Sequence, residues 1–248
     1  NGADPRQVGG ALAPTALAYA GGTVSTVTFV GDGPSGAGWR YLDNGTNPGT
    51  AWREPGFVPT AAWKGPQAGQ LGYGEGDETA PAVGLGPDAY NKYPATYFIT
   101  TFNVANASAL AGLSELTMSV KRDDGIIAYL NGTEIVRDTM PAGEVSHTTY
   151  ASGNAGDDGQ EFIPFGGLPL NLLRVGTNTL AVQVHQVNAS SSDLSFDCRL
   201  TATRSTGGTQ LFLPPGVATV RARVRDGSGT WSALNEQVFL VDTQPAAA

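Results

Sequence analysis

Cysteine is nearly absent from this sequence. Cys198 is the only one among 248 residues, so neither an internal disulfide nor a cysteine-based zinc site can be built. Histidine is almost as scarce, with only His147 and His185, which excludes a histidine-rich metal centre. Basic residues are few: 14 Lys and Arg stand against 22 Asp and Glu, for a formal net charge of -8 and a pI near 4.6. Phosphate backbones are held by clustered Lys and Arg. Here the basic residues are scattered, so no nucleic-acid partner is expected. No apolar run approaches the ~18 residues a spanning helix needs, and no membrane insertion is expected. The chain does not start with Met and carries no leader pattern, which reads as a processed product or an excised fragment.

Glycine and proline are plentiful, at 34 and 16 residues. Charged residues make up only 15%, and Thr, Ser, Asn and Gly fill much of the remainder. Such a composition suits an extracellular β-protein. Helical periodicity is scarce, and short strand-like runs recur between Gly, Pro, Asn and Asp. The clearest are 23–30, 96–104, 116–121, 125–130, 133–138, 179–185, 194–203, 218–225 and 236–241. Asn131-Gly132 between two of them is a strong hairpin signal. The expected fold class is all-β, built as antiparallel sandwiches. Residues 40–95 lack regular alternation and are rich in Gly, Pro and aromatics, as expected of a long functional or ring-pinned segment. Single helical turns are expected near 106–113 and 168–173.

The middle of the chain carries an ordered set of motifs. An aromatic strand at Ala95–Phe102 is followed by Arg122-Asp123-Asp124-Gly125, a strand, Leu130-Asn131-Gly132-Thr133, and Leu173-Arg174-Val175-Gly176-Thr177-Asn178-Thr179-Leu180-Ala181-Val182. This order resembles the galactose-binding-like jelly roll, as in the non-catalytic sugar-binding domain of family-two glycoside hydrolases. Gly38-Trp39-Arg40-Tyr41, Ala51-Trp52-Arg53 and Gly72-Tyr73-Gly74-Glu75-Gly76-Asp77-Glu78 look closer to one subgroup, modules of large secreted bacterial proteins that also carry lamin-tail or spore-coat-kinase-like domains. The ends, Asn1–Arg6 with Ala16–Tyr19 and Ala218–Asp226 with Gly229–Glu236, resemble a split chitobiase C-terminal-like, fibronectin-associated domain. The implied organisation is a jelly roll over 36–204 inserted into a small immunoglobulin-like sandwich made of 1–33 and 207–243, with 244–248 as a tail. The usual first strand of that small sandwich is missing, which implies either that the chain was cut from a longer one or that a neighbouring domain or subunit supplies the strand.

No catalytic constellation stands out. A hydrolytic triad needs a nucleophile, a His base and an orienting acid, and His185 reads as a structural residue at a strand end, on the face of Ala181 and Gln183. Asp123 and Asp124 are adjacent, so on a regular strand they would face opposite ways. They fit a turn that accepts backbone N–H bonds or, alternatively, a calcium ligand set, because Ca²⁺ takes six to eight oxygens. Other acid-rich loops hold Asp43, Glu75-Gly76-Asp77-Glu78, Asp157-Asp158 and Asp193. Residues 154–165 fail as an EF-hand, with Gly156 and Phe165 at positions that require oxygen ligands. Trp39, Trp52, Trp63, Tyr73, Tyr90, Tyr93 and Tyr97 admit two readings: rings on which a sugar stacks, or rings that pin an irregular segment to the sandwich. Cys198 shares the apolar face of Phe196 and Leu200 and reads as a buried, inert thiol.

The resulting expectation is a non-catalytic accessory module, secreted or at the cell surface (extracellular or periplasmic), that binds a polysaccharide or other glycan. Its ligand residues are expected among Tyr73, Glu75, Asp77, Tyr90, Tyr93, Asp124 and His185. The resemblance also implies one structural calcium, with Asp43, Asp123 and Asp193 as candidate ligands. The alternative is a structural or docking subunit of an extracellular assembly with no glycan site.

Overall fold

The structure is a computed structural model that describes residues 17–18, 23–76, 78–79, 82–206, 210–211, 216–222 and 235–241. Its strands begin with β1 (Leu17–Ala18), β2 (Thr23–Val30), β3 (Gly38–Leu42), β4 (Lys64–Ala68), β5 (Leu71–Tyr73) and β6 (Ala95–Val104). They continue with β7 (Leu113–Asp123), β8 (Gly125–Leu130), β9 (Thr133–Asp138), β10 (Ile163–Leu168) and β11 (Gly176–His185). The last are β12 (Leu194–Thr206), β13 (Gln210–Leu211), β14 (Gly216–Ala222) and β15 (Asn235–Val241). Helical geometry among the described residues is limited to short 3-10 turns such as Ala107–Ala109 and Leu170–Leu172. The protein is all-β.

The chain divides into two compact units, 24–204 and the combination of 1–23 with 205–248. In the second unit β1 pairs antiparallel with β13, and β14 with β15. Most of the end motifs, including Asn1–Arg6 and Trp231, lie outside the described residues. The larger unit holds two antiparallel sheets. One has the order β10-β7-β12-β2 with β5 beside the start of β12, and the other runs β4-β3-β6-β11-β8-β9. The boundary expected after residue 33 therefore moves, because β2 pairs with β12 inside the larger unit.

Period-2 alternation builds the core between the sheets. Leu116, Met118 and Val120 of β7 and Phe196, Cys198 and Leu200 of β12 face Ile126, Ala128, Leu180, Val182 and Val184 of the other sheet. Trp39 meets Phe196 edge-on at 4.9 Å, and Phe98 stacks on Phe196 at 4.3 Å. The opposite face of the six-stranded sheet is also covered. Ile99, Ile127, Tyr129 and Ala181 lie under Trp52 and Trp63, which the segment between β3 and β4 carries across the sheet. Trp52 contacts the Tyr97 ring at 5.0 Å and Tyr129 at 6.2 Å. Trp39, between the sheets, and Trp52 and Trp63, on the outer face, are thus packing residues.

Residues 40–95 do contain strands, which irregular composition concealed. β4 holds Pro66 and lies at a sheet edge, the one place where a missing N–H costs no ladder bond. β10, with Pro164, is likewise an edge strand.

Candidate functional site

Strand register brings one set of polar residues to a single end of the larger sandwich. Tyr73 lies opposite Leu194, Ser195 opposite Asp123, and His185 opposite both Gly125 and Ala95. The loops 74–94, 139–162 and 186–193 all leave from this end. Two glycines let them approach closely. A Cβ on Gly74, whose φ is +108°, would sit 2.6 Å from Asp193 Cβ, and one on Gly159, φ +65°, would sit 2.6 Å from Ser195 Cβ. Both conformations also disfavour L side chains.

The approach gathers carboxylates. Glu75, Asp158 and Asp193 each place an oxygen within 4.8 Å of the others', and buried Asp123 hydrogen-bonds to Asp193. Such a group cannot be fully ionised without cost. Its hydrogen bond to Asp193, reinforced by burial and the Asp193 and Asp158 charges, raises Glu75 to about 7. Burial, the bond to Asp193 and the Asp124 charge raise Asp123 strongly. Burial acts to raise Asp193 too, but bonds from Glu75, Asp123 and Ser192 outweigh it and hold this carboxyl low. The arrangement is a charged acceptor, Asp193, flanked by two carboxyls that hold their protons to higher pH than free carboxyls do, Glu75 releasing its own near 7.

Neighbouring groups fix the loops. Asp124 accepts from Val187 N at 2.7 Å, Ala155 N at 3.3 Å and Ser191 Oγ at 3.2 Å, tying two loops to the β7–β8 turn. Arg122 donates to Asp138 at 2.7 Å and Asp157 at 2.6 Å, anchoring the loop that presents Asp158. Gln186 donates to Tyr73 Oη at 2.9 Å and to the Asp193 carbonyl at 2.8 Å. Lys92 is buried; its backbone N–H donates to Ala189 O at 3.0 Å and its ammonium to Ser191 O.

These contacts sort the residues proposed from sequence. Tyr73, Asp124 and His185 all come to this end, but they are enclosed, with 7%, 1% and 0% of their surface exposed. A ligand touches none of them without displacing protein, so their part is to hold the loops. His185 donates through Nδ1 to Thr149 O at 2.7 Å, and burial depresses its pKa to about 4, leaving a neutral ring. Glu75 is half-buried within the cluster. Tyr90 is 78% exposed, on a turn closed by Asp88 Oδ1 accepting from Tyr90 N at 2.8 Å. Tyr93 is half-buried, its ring edge filling the space a Cβ on Gly45 would take. Asp77 lies outside the described residues. Of the calcium candidates, Asp123 and Asp193 belong to the cluster. Asp43 does not: it is paired with Lys64 at 2.7 Å and accepts from Gly84 N at 2.6 Å. Asp158 was not singled out from sequence, though the Asp157-Asp158 pair marked its loop as acid-rich. Nothing in the sequence marked Gln186 or Lys92.

No family model matches this chain, and no curated protein matches it. Among solved structures, a β-glucuronidase from Bacteroides uniformis is similar at 13% identity and a TM-score of 0.46, over 88% of this chain and 26% of that one. A Bifidobacterium dentium β-glucuronidase complexed with coumarin-3-O-glucuronide shows 15% identity and a TM-score of 0.45, over 83% of this chain and 34% of that one. A β-glycosidase from Bacteroides vulgatus gives 10% identity and a TM-score of 0.41, over 88% and 28%. The chain thus spans about a third or less of the length of these proteins.

Proposed function

We propose that this chain is a non-catalytic extracellular module that binds carbohydrate at the loop end of its larger unit. The observation that carries this reading is the pairing of an exposed ring with fixed acceptors on that end. Tyr90 is displayed on a turn that Lys92 bonds to the 189–191 segment, and the 186–193 loop also carries Asp193 of the carboxylate cluster. Sugar rings stack their C–H face on aromatics and donate hydroxyl protons to carboxylates, so the site needs both kinds of group. Glu75, Asp158 and Asp193 supply the acceptors.

One structural calcium belongs to the same reading. A purely oxygen, carboxylate-rich donor set is the chemistry that Ca²⁺ prefers, and Glu75, Asp158 and Asp193 are the residues that would hold it. Bound there, the ion would supply positive charge to neutralise the cluster and order the three loops. The smaller unit, 1–23 with 205–248, serves as a spacer.

A glycan array of the purified chain, run in calcium and again in EDTA, tests the reading. Reproducible hits that Tyr90→Ala weakens while the fold stays intact support it. A blank array under both conditions refutes it and favours a structural or docking role. Turnover of any arrayed glycan would refute the non-catalytic part.

A further inference from the structure

A concave site lies away from the loop end, on the outer face of the six-stranded sheet. It is a groove of about 600 Å³ between the end of β2 and the crossing segment between β3 and β4, lined among others by Phe29, Arg40, Phe57, Pro59, Pro66 and Thr101. Its walls are fixed. Phe57 packs edge-on against Trp63 at 5.7 Å, and Trp63 against Trp52 at 6.1 Å, so one wall is continuous with the aromatic cluster. Beneath it, Ile99 is buried and Thr100 donates to Gly38 O at 2.9 Å.

Arg40 distinguishes the groove. On β3 it alternates with the buried rings of Trp39 and Tyr41, which sends its side chain to the outer face. Its Nη1 donates to Gly65 O at 3.1 Å, which steadies the guanidinium. Arg122, Arg137 and Arg199 each pair with a carboxylate. Arg40 has no such partner among the described residues, and it is the charged residue lining this groove. In a chain of net charge -8, an exposed arginine without a carboxylate partner in a concave site offers an anion a planar set of unneutralised donors.

We propose that this groove binds a carboxylate-bearing sugar residue, with Arg40 taking the carboxylate while Phe57 and Pro59 take an apolar ring face. The sugar scaffold rests on the carbohydrate reading above, but the site itself does not. The mixed lining argues against an alkyl carboxylate: a sugar ring presents one apolar face and a polar rim, matching the proline and phenylalanine faces beside the Thr101 hydroxyl, whereas an alkyl chain leaves those polar groups dry and unpaired.

Amide chemical-shift titration of the full chain with trigalacturonate, neutral galactotriose and octanoate tests this. Trigalacturonate is expected to shift Gly38, Arg40 and Thr101, and more strongly than galactotriose. Arg40→Gln should lower its affinity at least about tenfold, the scale of one lost charge-assisted contact. Val58→Asp, at a lining position 79% exposed, adds an anion at no packing cost and should weaken trigalacturonate alone. Equal binding of the neutral and acidic sugars, tighter binding of octanoate, or unchanged affinity in Arg40→Gln would each overturn the proposal, as would no binding at all. The two readings fail separately. Shifts confined to Gly76 and Ser191 would sink the groove and leave the loop end standing, whereas groove shifts with a blank array would do the reverse.

Discussion

Two irregular parts of the larger unit are held in opposite ways. The segment between β3 and β4 lies on the sheet through rings: Trp52, Trp63 and Phe57 pack on one another and on Tyr97 and Tyr129. The loop end is held by polar side chains, with Asp124 and Arg122 tying loops down and Glu75, Asp158 and Asp193 facing one another. Rings need no partner from solution, since burial of their area suffices. Clustered carboxylates need a proton or a cation. The first region should therefore be indifferent to pH and ions, and the second should respond to both.

The sharpest way to break this contrast is Trp52→Ala. Removing a buried ring from the outer cluster should cost about 3–5 kcal/mol, measured by urea unfolding, and the loss should be the same at pH 5 and pH 8. A pH-dependent loss would join the two regions and spoil the distinction. Asp124→Ala comes next. It leaves the N–H groups of Val187 and Ala155 without their acceptor, at about 2–3 kcal/mol, and amide exchange should quicken first at those two residues rather than through the core.

A smaller effect has a sign that discriminates. Glu75 titrates near 7 in the folded chain against an ordinary 4.5. The native state therefore holds this proton more tightly, and its stabilisation is complete below pH 4.5 and lost as pH rises through 7. Glu75→Gln should flatten that decline in a Tm series. Calcium should raise the wild-type Tm more at pH 8 than at pH 5, and equal shifts would remove the cluster as its site. His185 acts the other way: with a folded pKa of about 4 against 6.5, it lowers stability as pH falls from 6.5 to 4. Least of all, Tyr90→Ala should change stability by under about 0.5 kcal/mol in the same urea assay, because the ring is exposed, while reducing glycan binding.

Where local rules govern, the sequence was readable. Asn131 and Gly132 both take positive φ, 51° and 87°, as a two-residue hairpin turn requires, and the β8 and β9 bounds agree with the expectation to the residue. The parity placing His185 with Ala181 also agrees, since Val182 and Val184 face the core between the sheets and Ala181 the outer cluster. What escaped was set by partners distant in sequence. β5 is the three residues Leu71-Gly72-Tyr73, too short to show a period, and it exists because β12 offers an edge at Leu194 and Phe196. The carboxylate cluster joins Glu75, Asp158 and Asp193 through loops whose approach depends on Gly74 and Gly159. Each acid was visible by itself, but their meeting was not. Burial removed Tyr73 and Asp124 from the accessible set for the same reason, because alternation locates a face but does not reveal what covers it.

The lone thiol has a practical consequence. Cys198 is completely enclosed between the sheets of the larger unit, and burial raises its pKa well above the ordinary value, so the folded chain presents no thiolate to a reagent. Alkylation can proceed only when the sandwich opens, which makes Cys198 a built-in clock. The labelling rate in native buffer reads the opening of the 24–204 unit and needs no engineered probe.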